Sequence, residues 1–579
     1  MAKDNHILQR KKDRLLSKNS IFFAVFIIAA CFLFWKCRYG YGNIDESFYL
    51  TIPYRLYQGD SLFREEWHLS QMAGFLTLPI MTLYMELKGS TEGILLDMRY
   101  ICTSIQCLMA VFLYIRLKNM NWLGAAIAAI SFMLYTPFGI MALSYNSMGI
   151  LFLLLSQVII LTAQKKVHIQ YMLAGLSFAA AVLCCPYLLL VYVLYLAVVA
   201  VAFIKHRGTD TVAVNSPWSI RSAVFFTAGA AFAAVVFAAF VLSRSPLADI
   251  IKAFPHIFDD PEHAASYPLY MTVIIFLKNI VVANLWSGVL YCFLALLWIL
   301  CLLDKKRDQH KIVYTYILMV CVFGLMVSYY HYNHYINHLM WSVNVFAVFL
   351  VLLTQNSQIR KTFVFIWIPG ILYAYCLNLT SNQRFFAISS AASVATVGSL
   401  LMLAIYIREF MSGNYSTRCK RIVSASFCIL VCYQIATQAI LRYESVFWED
   451  GGMSSLTVEV DCGIEKGLII SEEHFAEYQR IRAVVEKVSG YEKEKVLYLS
   501  ENTGYYLEGN QEMSTYSAWM SGVNPHSLQR LGAYYEINSH KMPDIIYVEP
   551  EYEDISKEYF KQFHYKAQVI DEGIILLPE

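Results

Sequence analysis

The chain has 579 residues, of which 58% are hydrophobic and only 15% are charged, and its mean hydropathy is +0.48. In soluble domains about a quarter of the residues are charged. This composition therefore excludes an ordinary soluble protein and indicates that much of the chain lies in lipid. The formal net charge of +2 identifies no class of partner, and we expect no nucleic acid among the partners.

The first apolar segment, residues 21–35, follows a strongly basic start and ends without a small-residue cleavage site. We therefore expect a retained membrane anchor rather than a cleaved secretory signal. The 14 cysteines lie almost entirely in apolar segments, and only Cys462 falls in the polar C-terminal part. This distribution predicts no disulfide framework there, and the cysteines and histidines lack the spacing of a zinc site.

Apolar segments recur along most of the chain and give, with the first one, about thirteen candidate membrane spans. The others lie at residues 91–115, 122–140, 147–163, 170–184, 186–204, 221–243, 283–303, 312–329, 336–353, 362–379, 385–407 and 421–441. Several have only roughly 15–18 residues and would need tilt or neighbouring helices to cross a bilayer. The sequence therefore predicts an α-helical polytopic membrane protein, with a transmembrane domain over residues 1–441.

Positive charges predict the orientation of these spans. Alternate connections carry basic residues: Arg116 and Lys118; Lys165 and Lys166; Lys205, Arg207 and Arg221; Lys305, Lys306, Arg307 and Lys311; Arg360 and Lys361; Arg408, Arg418, Lys420 and Arg421. With thirteen spans, all of them lie on the side of the basic N-terminus. We therefore predict a multi-pass protein of the cell membrane with a cytoplasmic N-terminus, and with residues after about 442 outside the cytoplasm.

Residues 442–579 differ from the rest, because they are rich in Glu, Lys and Tyr. Residues 472–488 show apolar residues at helical spacing, and residues 495–499, 544–548 and 573–577 resemble strands. We expect a small extracytoplasmic α/β domain over residues 442–579.

The longest early interruption of the apolar pattern, about residues 39–93, opens with the pair Asp45-Glu46. A carboxylate at the boundary of water and lipid can take a proton from a hydroxyl while the membrane holds a lipid-linked partner. The alternative is that both acids face water in an ordinary loop. Because the other outward connections also hold acids, histidines and aromatic residues, we expect the chemistry on the outer face.

The residues that follow this pair carry a resemblance to a known family. In order, they are Asp45-Glu46, Tyr49, Arg55, Gly59-Asp60, Trp67, Pro79 and Arg99. This series resembles the first outer loop of the C-fold superfamily of membrane glycosyltransferases, which includes protein O-mannosyltransferases and the lipid A aminoarabinose transferase. The resemblance implies a C-type glycosyltransferase fold, a polyprenyl-phosphate-linked sugar donor and a catalytic first outer loop.

The resemblance also implies roles for individual residues. Asp45 would be the base or the acceptor anchor, supported by Glu46, and Tyr49 would contact substrate. Arg55 and Arg99 would either bind the donor phosphate or organise the loop. The chain departs from the aminoarabinose-transferase pattern, which has a lysine before a double proline, because residues 76–79 read Leu-Thr-Leu-Pro. Another element must then hold the donor phosphate, or the sugar donor differs.

That element could be the outward connection at residues 330–335, because the family has a basic residue and a tyrosine at a comparable place, where this chain has His334-Tyr335. His331 and His334 could donate hydrogen bonds to a phosphate. The alternative is an aromatic belt at the membrane interface with solvated histidines. Lys278 could pair with a phosphate, although such a lysine more often extends to the interface.

We expect no cofactor. One outward segment could bind a divalent cation through His256, Asp259, Asp260, Glu262 and His263, but their spacing is not typical of a metal site, and a solvated loop explains them equally well. The sequence also lacks the glycine-rich motifs that bind nucleotides.

These patterns predict an enzyme that transfers a sugar from a polyprenyl-phosphate carrier to a glycan, lipid or protein acceptor of the cell envelope, with Asp45 as the base. A transporter or flippase of lipid-linked saccharides would favour charged residues inside the spans and an inverted repeat. A polymerase of lipid-linked saccharides or a membrane scaffold is the other alternative. A transporter or scaffold should tolerate the loss of Asp45.

Overall fold

The structure, a computed structural model, describes residues 2–164, 166–205, 217–259, 268–381, 383–446, 452–520 and 522–579. Its first part is almost entirely helical. The helices of this part are α1 (Ala2–Lys36), α2 (Asn43–Tyr57), α3 (Met72–Lys88), α4 (Ile94–Leu117), α5 (Trp122–Met133), α6 (Tyr145–Leu161), α7 (Val167–Cys184), α8 (Leu189–Lys205), α9 (Ile220–Arg244), α10 (Leu247–Phe258), α11 (Leu269–Val281), α12 (Leu285–Leu303), α13 (Arg307–Tyr332), α14 (Ile336–Val343), α15 (Val345–Leu353), α16 (Ser357–Thr362), α17 (Ile368–Thr380), α18 (Phe385–Ala391), α19 (Ser393–Ser412) and α20 (Thr417–Glu444).

Eleven helical segments of the described chain are long and apolar enough to cross a membrane. They are Ser17–Lys36, Ile94–Leu117, Val167–Cys184, Pro186–Ile204, Ile220–Arg244, Leu285–Leu303, Arg307–Tyr332, Ile336–Leu353, Ser357–Thr380, Ser393–Ser412 and Thr417–Glu444. Two more predicted spans coincide with the shorter apolar helices Trp122–Met133 and Tyr145–Leu161, whereas a further short one, Tyr270–Val281, lies outside the predicted spans. The chain is thus an α-helical polytopic membrane protein, and the count of thirteen spans stays a prediction.

Small residues allow a close crossing between helices α7 and α9. A Cβ atom on Gly175 would lie 1.9 Å from the carbonyl oxygen of Phe226, and one on Gly229 would lie 2.0 Å from that of Met172. Backbone therefore meets backbone at both glycines. Such contacts are typical of helices in lipid, where association depends on close packing because burial of apolar surface gives little gain.

The predicted outer loop over residues 39–93 contains the two helices α2 and α3, which pack against each other. At their contact a Cβ atom on Gly74 would lie 2.5 Å from Cγ2 of Ile52, so the approach requires glycine. Charged and apolar residues alternate irregularly here, which is why local periodicity did not indicate helices. The buried charges are matched by partners from distant parts of the chain, as described below.

The C-terminal part combines strands with shorter helices. The strands are β1 (Val458–Glu459), β2 (Ile469–Ile470), β3 (Lys495–Leu499), β4 (Glu512–Met513), β5 (Ile545–Val548), β6 (Tyr565–Ile570) and β7 (Gly573–Pro578), and the helices are α21 (Glu472–Ser489), α22 (Gly504–Glu508), α23 (Pro525–Ile537) and α24 (Glu553–Lys561). The helix predicted at residues 472–488 and the strands predicted at 495–499, 544–548 and 573–577 are confirmed.

Five of these strands form one mixed sheet in the order β4-β3-β5-β7-β6. Strand β3 is parallel to both β4 and β5, whereas β7 is antiparallel to β5 and β6. Strands β1 and β2 form a separate antiparallel pair. The chain leaves β3 for β4 on one side and then crosses to β5 on the other side of β3.

The C-terminal domain and the opening segment share a hydrophobic core. Buried side chains of α2 and α3, among them Leu50 and Met81, belong to the same cluster as Val484 of α21 and Tyr498 of β3. A backbone hydrogen bond also connects the two parts, because the N–H of Gly40 donates to the carbonyl of Ile469 at 2.9 Å. The C-terminal domain is therefore docked on the segment that carries Asp45.

Candidate functional site

The adjacent acids of α2 lie in different environments. Successive residues of an α-helix point about 100° apart, so neighbours in sequence face different surroundings. Glu46 is buried, with 2% of its surface exposed, whereas Asp45 is partly exposed. Both lie in the first turn, where the helix dipole stabilises a carboxylate.

Glu46 forms a two-point salt bridge with Arg99 of α4. Nε of Arg99 donates to Oε1 of Glu46 at 2.5 Å, and Nη2 donates to Oε2 at 2.6 Å. The N–H of Gly42 donates to the same Oε2 at 2.8 Å, and Nη1 of Arg99 donates to the carbonyl of Cys37 at 2.8 Å. A Cβ atom on Gly42 would lie 2.3 Å from Oε2, so glycine is required beside this bridge. The geometry favours a loop-organising role for Arg99 and an orienting role for Glu46.

Arg55, near the end of α2, is also fully engaged. Its Nε donates to Asp60 at 2.5 Å, its Nη1 donates to Glu66 at 3.0 Å, and its Nη2 donates to the carbonyl of Thr515 and the hydroxyl of Tyr534. Burial lowers the pKa of Arg55, but the acidic partners outweigh burial and raise it well above its ordinary value. Of the two roles left open for Arg55, this arrangement favours loop organisation over phosphate binding.

Tyr49 lies one turn after Asp45 on the same side of α2 and meets the start of α6. Its ring meets that of Tyr145 edge-on, with centroids 5.7 Å apart, and Asn146 belongs to its electrostatic surroundings. A capping box between Ser144 and Ser147 fixes the first turn of α6 and thereby these two partners. Burial raises the pKa of Tyr49 well above its ordinary value, and Tyr145 and Asp45 raise it further. Tyr49 is thus a protonated phenol beside the carboxylate of Asp45.

The predicted late element lies at the junction of α13 and α14. His331 is exposed in the last turn of α13. His334 has a left-handed backbone, with φ of 55°, and its Nε2 lies 3.2 Å from Oε2 of Glu444. Tyr335 precedes α14 and packs its ring on Phe386. The two histidines are accessible to a ligand, unlike Arg55.

The end of α20 links this late element to the opening segment. Glu444 contacts His334, while the preceding carbonyl, of Tyr443, accepts a hydrogen bond from Nζ of Lys36 at 2.9 Å. The ring of Tyr443 also stacks on Trp35. Lys36 ends α1, and the opening segment follows it. Lys278 is exposed in the last turn of α11.

Two residues beside the predicted histidines have buried polar groups that sequence reasoning left without a role. Asn337 donates to the carbonyl of Phe386 and to the hydroxyls of Ser389 and Ser390. Neither ring nitrogen of His338 has a hydrogen-bond partner among the described residues, and its ring lies against Phe385. Their position within the run rich in tyrosine and histidine was the available signal, but the sequence does not distinguish the exposed residues of that run from the buried ones.

A cleft of about 880 Å³ opens between the start of α2 and the C-terminal domain. Ile44, the residue before Asp45, lines it, and the carbonyl of Ile44 accepts a hydrogen bond from Oγ1 of Thr503 at 3.0 Å. Tyr41 lines the same cleft and stacks on His474, with ring centroids 4.3 Å apart. Sequence reasoning did not find this cleft, because its walls come from segments more than four hundred residues apart.

The suggested cation-binding segment is described only in part. His256 stacks on Trp67, and Asp259 lies 3.4 Å from Nε2 of His526. Asp260, Glu262 and His263 lie outside the described residues. Within the residues that the structure does describe, no group of three or more His, Cys, Asp or Glu side chains is placed to hold a metal ion.

Comparison with known proteins gives no family assignment. No protein-family model matches the chain, and no curated protein matches it in sequence. The function therefore has to be argued from the geometry of the site itself.

Proposed function

We propose that the chain is a membrane glycosyltransferase that moves a sugar from a polyprenyl-phosphate carrier to an acceptor hydroxyl at the outer face of the membrane. The observation that carries this proposal is the placement of Asp45. Its carboxylate is partly exposed in the first turn of α2, shortly after the first span, and the neighbouring residue Ile44 lines the cleft. A base there lies between a lipid-held donor and a water-borne or lipid-borne acceptor.

The proposed step is a single displacement at the anomeric carbon. The acceptor oxygen forms a bond to that carbon, the bond from the carbon to the phosphate oxygen breaks, and polyprenyl phosphate leaves with the bonding electrons. The acceptor proton passes to Asp45. Because the donor already carries a phosphate leaving group, the protein mainly has to position and deprotonate the acceptor. One carboxylate suffices for this reaction.

The buried charge networks support such a role, because general-base catalysis requires a fixed base. Arg99 fixes Glu46 from the membrane side, and Arg55 joins the far end of α2 to the C-terminal domain. A misplacement of about 1 Å in a reacting group can lower a rate by about a hundredfold. Rigid anchoring at both ends of α2 is therefore what a catalytic Asp45 would need.

The donor phosphate is assigned in this proposal to the exposed groups at the late element, His331 and His334, with Lys278 as a further candidate. They replace the lysine that residues 76–79 lack. Histidine can donate a charge-assisted hydrogen bond to a phosphate oxygen near neutral pH. The contact of His334 with Glu444, beside the end of α1, supports their placement on the side of the opening segment.

A panel of polyprenyl-phosphate sugars tests the proposal. The purified chain is incubated with each donor and a cell-envelope extract as the source of acceptor, and released polyprenyl phosphate is measured. We expect at least one donor to be consumed, with its sugar transferred to the extract. Movement of intact lipid-linked sugar across proteoliposomes, with no donor consumed, would replace this function by transport.

A further inference from the structure

The cleft lies where a parallel sheet usually binds ligands. Residues that directly follow β3 line it (Ser500, Glu501 and Asn502), as do those that follow β5 (Glu549 and Glu551). The chain passes from β3 to one neighbour, β4, and then to the other, β5, so the connections diverge between β3 and β5. Ligands of open α/β sheets bind at this divergence, outside the carboxyl ends of the strands.

The size and lining of the cleft fit a small polar ligand. A volume of about 880 Å³ lies in the range of small-molecule sites, about 300–1,000 Å³. Hydroxyl groups of Ser455, Thr457 and Ser500 line the cleft, together with the rings of Tyr41 and Tyr547. Hydroxyl and carboxylate groups around aromatic faces match the alternating polar and apolar surfaces of a sugar ring.

Several polar groups of the lining are held in place. Oγ of Ser500 donates to Oε1 of Glu549 at 2.8 Å, and the N–H of Asn502 donates to the same Oγ at 2.9 Å. Oδ1 of Asn502 accepts from the N–H of Gly504 at 2.9 Å. The edge of the cleft between β3 and β5 is therefore preorganised, which reduces the entropy lost when a ligand binds.

The charges of the side chains that line the cleft restrict the class of ligand further. Arg480 and His474 are its basic side chains, against six glutamates: Glu472, Glu473, Glu477, Glu501, Glu549 and Glu551. An anionic donor phosphate would be repelled here, so the cleft is unsuited to the donor. An ammonium group would be attracted and could donate hydrogen bonds to several of these carboxylates.

The sheet geometry distinguishes a saccharide from a basic peptide. The cleft opens over the carboxyl ends of β3 and β5. Strand β5 is paired on both sides, and beyond the short strand β4 the N–H and the carbonyl of Tyr498 in β3 are hydrogen-bonded to the hydroxyl of Tyr506. A peptide main chain would therefore find no strand edge to extend at this place. The hydroxyl groups of a sugar need only side-chain partners, which the lining supplies.

We propose that this cleft binds the acceptor and that the acceptor is a saccharide with a free amino group. That this saccharide is the acceptor rests on the proposed glycosyl transfer, whereas the binding of an amino saccharide does not. With the ligand in the cleft, a hydroxyl group beside Ile44 would lie one residue of α2 away from Asp45. The C-terminal domain would then select the acceptor, while the membrane domain holds the donor.

Calorimetric titration of the purified full chain tests the binding. The probes are short oligomers of glucosamine and of N-acetylglucosamine of equal length, which share a backbone and differ in charge. We expect the glucosamine oligomer to bind and the acetylated one to bind at least about tenfold more weakly, as for the loss of one charge-assisted hydrogen bond. Equal affinity for both probes, or absence of binding by the glucosamine oligomer, would overturn the proposal.

Variants locate the binding. Glu477→Gln and Glu551→Gln change exposed cleft residues, so folding should persist, and each should weaken glucosamine-oligomer binding by about tenfold. Glu486→Gln makes the same change on the same helix as Glu477, outside the cleft, and should leave binding unchanged. Equal effects of all three variants would overturn the assignment to the cleft. If trilysine bound as tightly as the glucosamine oligomer, the assignment of the ligand as a saccharide would be overturned.

The two proposals can fail separately. Asp45→Asn should lower transfer by about 10²–10⁴-fold and retain oligomer binding. Oligomer binding by a chain that consumes no polyprenyl-phosphate sugar would reject the glycosyl transfer and keep the binding site. Sugar transfer by a chain that does not bind the oligomer would reject the amino saccharide and keep the transferase.

Discussion

Glu46 and Arg99, 53 residues apart in sequence, form a two-point salt bridge in which both side chains are almost completely buried. The bridge joins the start of α2 to α4, the second long apolar helix. Both oxygens of Glu46 are occupied by it, whereas the adjacent Asp45 is partly exposed. The two neighbouring acids thus differ in role: Glu46 is engaged in orienting the segment, and Asp45 is the candidate for proton transfer.

Replacement of Glu46 by glutamine should affect stability first. Glu46→Gln leaves the Arg99 charge buried without its counter-charge, which typically lowers the free energy of unfolding by about 3–5 kcal/mol. Thermal unfolding of the purified protein in detergent measures this. Asp97→Asn is the matched control, because Asp97 pairs with a largely exposed Lys88 and should cost no more than about 1 kcal/mol. Equal, small shifts for both variants would contradict the orienting role of Glu46.

Replacement of Arg55 by lysine should also destabilise the fold. A lysine cannot reproduce the four hydrogen bonds of the guanidinium to Asp60, Glu66, Thr515 and Tyr534. We expect a clearly lowered unfolding temperature and, in the protein that stays folded, unchanged affinity for the polyprenyl-phosphate donor. Arg482→Lys is the control and should change the unfolding temperature less, because the side chain of Arg482 is 40% exposed in its ion pair with Glu508. A stable Arg55→Lys variant with weakened donor binding would restore the phosphate role.

Part of this architecture follows from local sequence. Long apolar runs indicate membrane helices, and the regular spacing over residues 472–488 and the apolar run over 544–548 indicated α21 and β5, because both patterns depend only on near neighbours. Helix α2 did not follow, because its buried charged side chains depend on hydrogen-bond partners as distant as Tyr534, which lies 479 residues from Arg55. The sequence also shows Gly42 four residues before Glu46, but the need for glycine there could not be recognised without the position of Arg99, which sets the close approach of Gly42 and Glu46.

Loss of the exposed histidines should weaken donor binding without unfolding the protein. His331→Ala and His334→Ala each remove a potential charge-assisted hydrogen bond to phosphate, worth about 1.5–3 kcal/mol. Titration with a polyprenyl-phosphate sugar measures the change, and His168→Ala, at an exposed histidine at the opposite end of the predicted topology, is the control. Unchanged donor affinity in both variants would return these histidines to an aromatic belt at the interface.

The orientation in the membrane can be measured independently of activity. The alternation of basic connections predicts that Glu579 lies outside the cytoplasm and that the connection at residues 304–306 lies inside. A reporter enzyme that is active only outside the cytoplasm should work at Glu579 and fail at the internal position. Activity restricted to the internal fusion would reverse the topology and remove the outer-face site.

The most direct test of the central claim is sugar transfer by Asp45→Asn. This isosteric change removes the proton acceptor and keeps the side-chain shape, and Asp554→Asn, at an exposed aspartate of α24, makes the same change away from the site. We predict that Asp45→Asn lowers release of polyprenyl phosphate by about 10²–10⁴-fold, with unfolding temperature and donor affinity unchanged, and that Asp554→Asn transfers normally. Near-normal transfer by folded Asp45→Asn protein would contradict the account.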